Sequence, residues 1–279
     1  MNIFEYAFMQ RAFIAAIFLA IIIPLIGFIM TLKRSSMIGD TLAHTSLAGV
    51  VAGLLIGINP LIGAIVTAVI AVFAIEAIQK KLPKNKDLGM AVVLTIGVAL
   101  AGLLSTYVSG GINFNAFLFG SITLITKSDL ILIASLSSVV LIVFLLIVKD
   151  LYLITLDESK AKLSGVKTSL INSIFTILTA ITVGLASKTV GALIVSSLMI
   201  LPSAVAMQFE KGFYKTLLLS IGFGLLYTIS GLFVAFYLDQ KAGATIVMIG
   251  VIIFIIVIFV KWLLNKIRMI KLRRENERN

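Results

Sequence analysis

Ser35 to Gly57 reads SSMIGDTLAHTSLAGVVAGLLIG, an apolar run holding an acid and the chain's one histidine four residues apart. On a helix, Asp40 and His44 at i and i+4 lie one turn apart on the same face. The chain around them is 60% hydrophobic, has no cysteine and carries only 13% charged residues. An ionisable pair inside a bilayer is costly, so it reads first as a functional site. A carboxylate with an imidazole is a ligand set for Zn²⁺ or Mn²⁺ where no thiolate is available. Two ligands do not close a tetrahedral site, so a second copy of the chain or water must supply the rest. The plainer reading is an interfacial aspartate near a helix N-terminus and a histidine satisfied by a neighbouring helix.

The same run has a second face. With Asp40 at 0° and about 100° per residue, His44 falls near 40°, while Gly49, Gly53 and Gly57 fall near 180°, 220° and 260°. These glycines form two overlapping GxxxG repeats, which let another helix approach closely. One helix thus offers a packing seam on one side and two polar ligands on the other.

A mean hydropathy of +1.17 and repeated apolar runs near the ~20 residues needed to cross a bilayer give an all-α polytopic membrane protein. The runs are Ala12–Leu32, Met37–Ile58, Leu61–Gln79, Leu88–Val108, Leu130–Val148, Leu170–Ala186, Val190–Met207, Thr216–Leu238 and Ala242–Leu264. Gly110 to Thr126, broken by glycines and asparagines, reads as an outer loop, a short dipping helix or half a broken span. The count is therefore eight or nine. One transmembrane domain fills 1–279, with 149–168 as the one long inner loop and 266–279 as a basic tail.

A net charge of +11 could point to nucleic acid, but its distribution excludes that reading. With the N-terminus outside and the spans alternating, 19 of the 23 basic residues fall on the inner side; Arg11, Lys127, Lys188 and Lys241 fall outside. That is the positive-inside pattern. It puts the C-terminus in the cytosol and the basic tail against anionic lipid headgroups. The lack of cysteine excludes disulfides, iron–sulfur clusters and thiolate zinc sites. No motif binds or hydrolyses ATP.

Smaller features complete the reading. Glu76, four residues before Lys80, suits an ion pair on a helix surface. Pro24 and Pro202 kink their helices. Ser196, Ser197 and Ser203 either line a pathway or serve as small residues at a helix contact. In the inner loop KDLYLITLDESKAKLSGVKT (Lys149–Thr168), Asp157 is an N-cap, Glu158 suits the first turn and Gly165 stops the helix. A short helix at the membrane surface follows.

Taken together, FMQRAF (Phe8–Phe13), LKRSSMIGDTLAHTSLAGV (Leu32–Val50), KNKDLGMAVV (Lys84–Val93), FLFGSI (Phe117–Ile122), the acidic-start loop ending in Gly165, and GALIVSSLMILPSAVA (Gly191–Ala206) resemble a known family. It comprises the permease subunits of ATP-binding-cassette importers for zinc and manganese, of the cobalamin-permease-like (type II) class. The GD-x-x-x-H element of the second span is the specific part. The resemblance implies a transport subunit of the bacterial plasma membrane that is not itself an enzyme and holds no permanent cofactor. Two copies form the pathway for Zn²⁺ or Mn²⁺, a cytosolic ATPase dimer binds the ATP, and an extracellular metal-binding protein delivers the ion. Asp40 and His44 then match the metal ligands, one pair per copy. The loop helix, with Asp157, Glu158, Ala161, Leu163 and Gly165, matches the element that couples to the ATPase. Ala161 and Leu163 point about 200° apart on that helix, and small Ala161 is the expected ATPase contact.

Two other readings compete. A proton- or ion-coupled secondary metal transporter would use Asp40 as its proton site and need no ATPase. A membrane scaffold would leave Asp40 and His44 without a purpose.

Overall fold

Inside a bilayer an apolar segment has no water to bond, and a helix satisfies its N–H and C=O groups internally. The computed structural model describes residues 5–82, 85–108, 118–120 and 125–276, which are helical with no strand among them. The helices are α1 (Ala7–Leu32), α2 (Met37–Ile56), α3 (Pro60–Lys81), α4 (Lys86–Ser105) and α5 (Lys127–Leu156). They continue as α6 (Glu158–Leu163), α7 (Thr168–Ala186), α8 (Ala192–Met207), α9 (Phe213–Tyr237) and α10 (Ala242–Asn276). A π-helical turn, Ser187–Gly191, joins α7 to α8. Eight segments are long and apolar enough to cross a bilayer, Thr168–Gly191 among them.

Contacts between distant residues fix where each helix points. At one end Lys33, after α1, donates to Asn172 of α7, and Asn172 donates to Glu158 of α6. At that same end Lys261 of α10 reaches Gln208 and Glu210, which follow α8. At the other end Tyr6 packs on Phe236, 6.0 Å between rings, and Asn59 and Lys188 both donate to Asp129. The long helices and α8 therefore alternate in direction. The question of eight or nine spans resolves, among the described residues, to eight long helices and a ninth, α8, of 16 residues. At 1.5 Å per residue α8 is about 24 Å long. Lys33, Arg34, Lys80, Lys81, Lys211 and Lys215 gather at one end, called the basic end below; Lys188 and Lys241 stand at the other.

The chain turns back at Gly191, whose φ of +104° only glycine adopts freely. A side chain there would also collide with the backbone of Phe119 and Gly120. Those two residues, with Leu118, Ile125 and Thr126, are the described part of Gly110–Thr126. The rest of that stretch lies outside the described residues.

Close approach at small residues builds the interior. A Cβ on Gly49 would run into Thr67 Oγ1 and the Gly63 carbonyl, and one on Gly63 would run into the Gly49 carbonyl. On Gly53 it would stand 3.2 Å from Pro60 Cα. The glycine seam of α2 thus meets α3 of the same chain, through a third glycine, Gly63. Gly57 is not part of it: it is the C-cap of α2 at φ +78°, with open space where its side chain would be. The GxxxG period simply runs past the end of the helix. Pro24 nests against Gly224 of α9, and Gly224 also faces the Ala20 carbonyl, which Pro24 deprives of its helix donor. Gly49→Leu is expected to lower stability by about 1–3 kcal/mol or more through overpacking, and more than Gly53→Leu. Thermal melting in detergent checks the order; equal melting temperatures would remove the seam from the account.

Two expectations fail at the basic end. The fifth span runs to Leu156, not Val148, so residues 149–156 of the inner loop are helix and the connector is only 157–167. Leu151 and Ile154 are buried, and their burial carries the helix past the charged Lys149–Asp150 step. Glu76 and Lys80 form no ion pair. A single pair near a helix end, with Lys80 exposed, gains too little to hold two long side chains together. The basic tail continues α10 as one helix to Asn276.

Candidate functional site

Between Thr41 and Val51 every residue of α2 is buried except His44. The neighbouring helices account for this. Gly49 and Gly53 take up α3, Thr45 lies against Gly97 of α4, and Gly39 packs on Met199 of α8. One strip stays open, and it carries Asp40 and His44. Their side chains are 49% and 22% exposed, with His44 Nε2 4.0 Å from Asp40 Oδ1. That is too far for a hydrogen bond. Two donors each about 2.1 Å from one ion sit about 3.0–3.4 Å apart at octahedral or tetrahedral angles, so a shared ion would draw this pair together by about 1 Å or less. The pair lies in the basic half of the bundle: Asp40 is in the first turn of α2 and His44 is about 10 Å along its axis. Among the described residues no group of three or more His, Asp or Glu side chains comes together. Among the described residues the pair therefore brings two such donors together and no third.

The serines separate. Ser196 and Ser197 are half-buried on α8, the helix whose Met199 touches Gly39. Ser203 is fully buried, and its hydroxyl shares a 2.9 Å hydrogen bond with Ser220 of α9. It makes a helix contact between α8 and α9.

The six-residue helix α6 is capped at both ends. The Asp157 carboxylate accepts from the N–H groups of Ser159 and Lys160 at 3.0 and 3.1 Å. At the far end the Val166 N–H bonds to the Ala161 carbonyl and the Gly165 N–H to that of Lys162. This is a Schellman stop, with Gly165 at φ +87°. Glu158 accepts from Asn172, whose own carbonyl oxygen accepts from Lys33 Nζ at 2.6 Å. Burial pulls the Lys33 ammonium below the ordinary lysine range, and the Glu158 charge opposes that shift. Of the two candidate contacts, Ala161 is 2% exposed and joins the core, while Leu163 is 88% exposed. A small side chain is what the helix needs to sit on the bundle, so Ala161 faces in. Leu163 faces out.

One polar cluster escaped the sequence reading. At the end opposite the basic one, Lys188 Nζ lies 2.7 Å from Asp129 Oδ2, with side chains 8% and 1% exposed. Asp129 also accepts from Asn59 Nδ2 at 3.1 Å, and from the Thr126 N–H and hydroxyl at 2.9 and 2.7 Å. The Asp129 N–H in turn bonds to the Thr126 hydroxyl, closing a capping box at the start of α5. The network ties the starts of α3 and α5 to the π turn after α7. A signal was present: an acid and a base flanking apolar runs are costly unless they find each other.

The sequence comparisons agree with this architecture. The ABC 3 transport family matches residues 5–261. A probable metal transport system membrane protein of Treponema pallidum is 32% identical over 257 residues, covering 91% of this chain and 96% of its own. The manganese transport system membrane protein MntC of Halalkalibacterium halodurans is 29% identical, covering 92% and 89%. Among solved structures, PsaBC from Streptococcus pneumoniae in complex with Fab superposes with a TM-score of 0.83 at 25% identity, covering 92% of each chain. A metal-chelate type ABC transporter in an inward-facing conformation shares the fold at a TM-score of 0.71 and 18% identity. With the family spanning nearly the whole chain and its helices arranged as in these structures, this protein belongs to the ABC 3 transport family and is a permease, a membrane subunit with no enzymatic activity of its own.

Proposed function

We propose that this chain forms the pathway of an ATP-driven importer for a divalent transition metal in the bacterial plasma membrane. Manganese is the favoured cargo and zinc the alternative that the same donors accept. The open Asp40–His44 strip on an otherwise buried helix carries the proposal. Relatives named for manganese transport support the choice of metal, while one carboxylate and one imidazole without thiolate suit either ion. Two copies face each other, each giving one Asp40–His44 pair, with Ser196 and Ser197 beside the path. The basic end is cytosolic and the N-terminus outside, as the charge asymmetry favours. There a cytosolic ATPase dimer holds the ATP and grips α6, while an extracellular metal-binding protein delivers the ion at the opposite end.

The test is reconstitution. The chain co-purified with its ATPase should load liposomes with Mn²⁺ only when ATP is present. Uptake by the chain alone under a proton gradient would overturn this reading in favour of a secondary transporter.

The outward side chain of α6 gives a second test. Leu163→Asp is expected to weaken ATPase binding about tenfold, the ~1.5 kcal/mol of one buried leucine, with unchanged melting. Ala161→Glu should instead lower the melting temperature, because it forces a charge into the core. A titration of ATPase against each variant checks this. Normal affinity for Leu163→Asp would remove it from the contact.

A further inference from the structure

We infer that the basic end carries a binding site for one anionic phospholipid, headed by Lys211 and Lys215 and walled by two apolar grooves on either side of them. The first groove, of about 320 Å³, lies between α1, α5 and the start of α9 and is walled by Phe28, Tyr152, Met207 and Phe213. Leu32 and Leu156, 37% and 66% exposed, leave it open at the rim. The two threonine hydroxyls in its wall are already spent, Thr155 on the Tyr152 carbonyl and Thr216 on that of Lys211. Such a groove suits a hydrocarbon chain. The second, of about 420 Å³, runs along α9 past Leu218, Leu219 and Gly222. Lys211 borders both, and Lys215 borders the second.

Charge decides the headgroup. Lys211 and Lys215 are exposed, and neither makes an ion pair or side-chain hydrogen bond among the described residues. The neighbouring acid, Glu210, is already held by Lys261, which keeps its carboxyl below the usual range. Two free ammonium groups therefore stand where a helix enters the bilayer, the depth of lipid phosphates. A single glycerophospholipid with net negative charge fits this arrangement, with its phosphate between the lysines and one chain in each groove. The first groove ends on Thr155 and Leu156, directly before Asp157 and α6. An occupied groove therefore stiffens the base on which α6 stands.

The full-length protein is exchanged into nanodiscs of equal phosphatidylglycerol and phosphatidylcholine, and the retained lipid is counted by native mass spectrometry. Phosphatidylglycerol should be retained in preference, and Lys211→Gln with Lys215→Gln should lower its retention about 30-fold, roughly fivefold per lysine. Gly222→Leu should also lower retention without changing the melting temperature, because a Cβ there meets no atom within 4 Å and only fills the groove. Equal retention of the two lipids, or unchanged retention in the lysine variant, would overturn the assignment. So would displacement by inorganic phosphate, which would reveal an anion site without acyl chains. Loss of a co-purifying protein with the lipid complement intact would give the face to a protein partner instead.

Discussion

His44→Ala and Asp40→Asn are each expected to cut metal uptake by about 100-fold or more while leaving the fold intact. Removing a group that merely orients a metal ligand already costs 10–100-fold, so losing one of two donors should cost at least the upper figure. The fold should tolerate both changes. His44 and Asp40 lie on the one open strip of α2, and 4.0 Å separates them, so no hydrogen bond is lost. Substitutions at such positions usually stay within ±0.5 kcal/mol. Uptake of labelled Mn²⁺ by cells carrying each variant, set beside detergent melting of the purified chain, separates the two effects. Full uptake by both variants would sink the site, whereas a large fall in melting temperature would turn the pair into a structural feature.

The second large effect lies at the other end of the molecule. Lys188→Met is expected to destabilise the protein by about 3–5 kcal/mol, because Asp129 would keep its charge in a site 1% exposed with no cation beside it. Asn59 and Thr126 would remain as donors, but neither carries charge. The double variant Asp129→Asn, Lys188→Met should recover most of that loss, since replacing both members of a buried pair is often near neutral. A double-mutant cycle on melting or denaturant unfolding reads the coupling directly. A single variant as stable as the parent would mean that water reaches Asp129.

The long spans were legible because burial in lipid leaves a mark in every residue of a run, and α2, α3, α7 and α9 begin and end within three residues of the expected bounds. The reading failed where local pattern and tertiary contact disagree. Lys149 and Asp150 look like the end of a span, but Leu151 and Ile154 find a buried face and the helix continues. A six-residue helix has too few turns to show which side is apolar, so the small size of Ala161 suggests an outward contact where the fold buries it. Asp129 and Lys188 are 59 residues apart, and nothing local to either announces the other. Of the candidate site, the Asp40–His44 spacing was plain from sequence. That those two positions are the open ones depends on three neighbouring helices covering every other face of α2.

The short helix α6 has one more consequence. Alone, a helix of this length is too brief to persist in water, since about 12–15 residues are needed even for good sequences. Its order comes from the Asp157 cap, the Gly165 stop and the seat of Ala161 in the core. The amides of Ala161 and Ser164, bonded to the Asp157 and Lys160 carbonyls, should therefore resist deuterium only while that seat is occupied. Their exchange half-life is a clock for opening at the basic end, readable in the intact protein with no ion being carried.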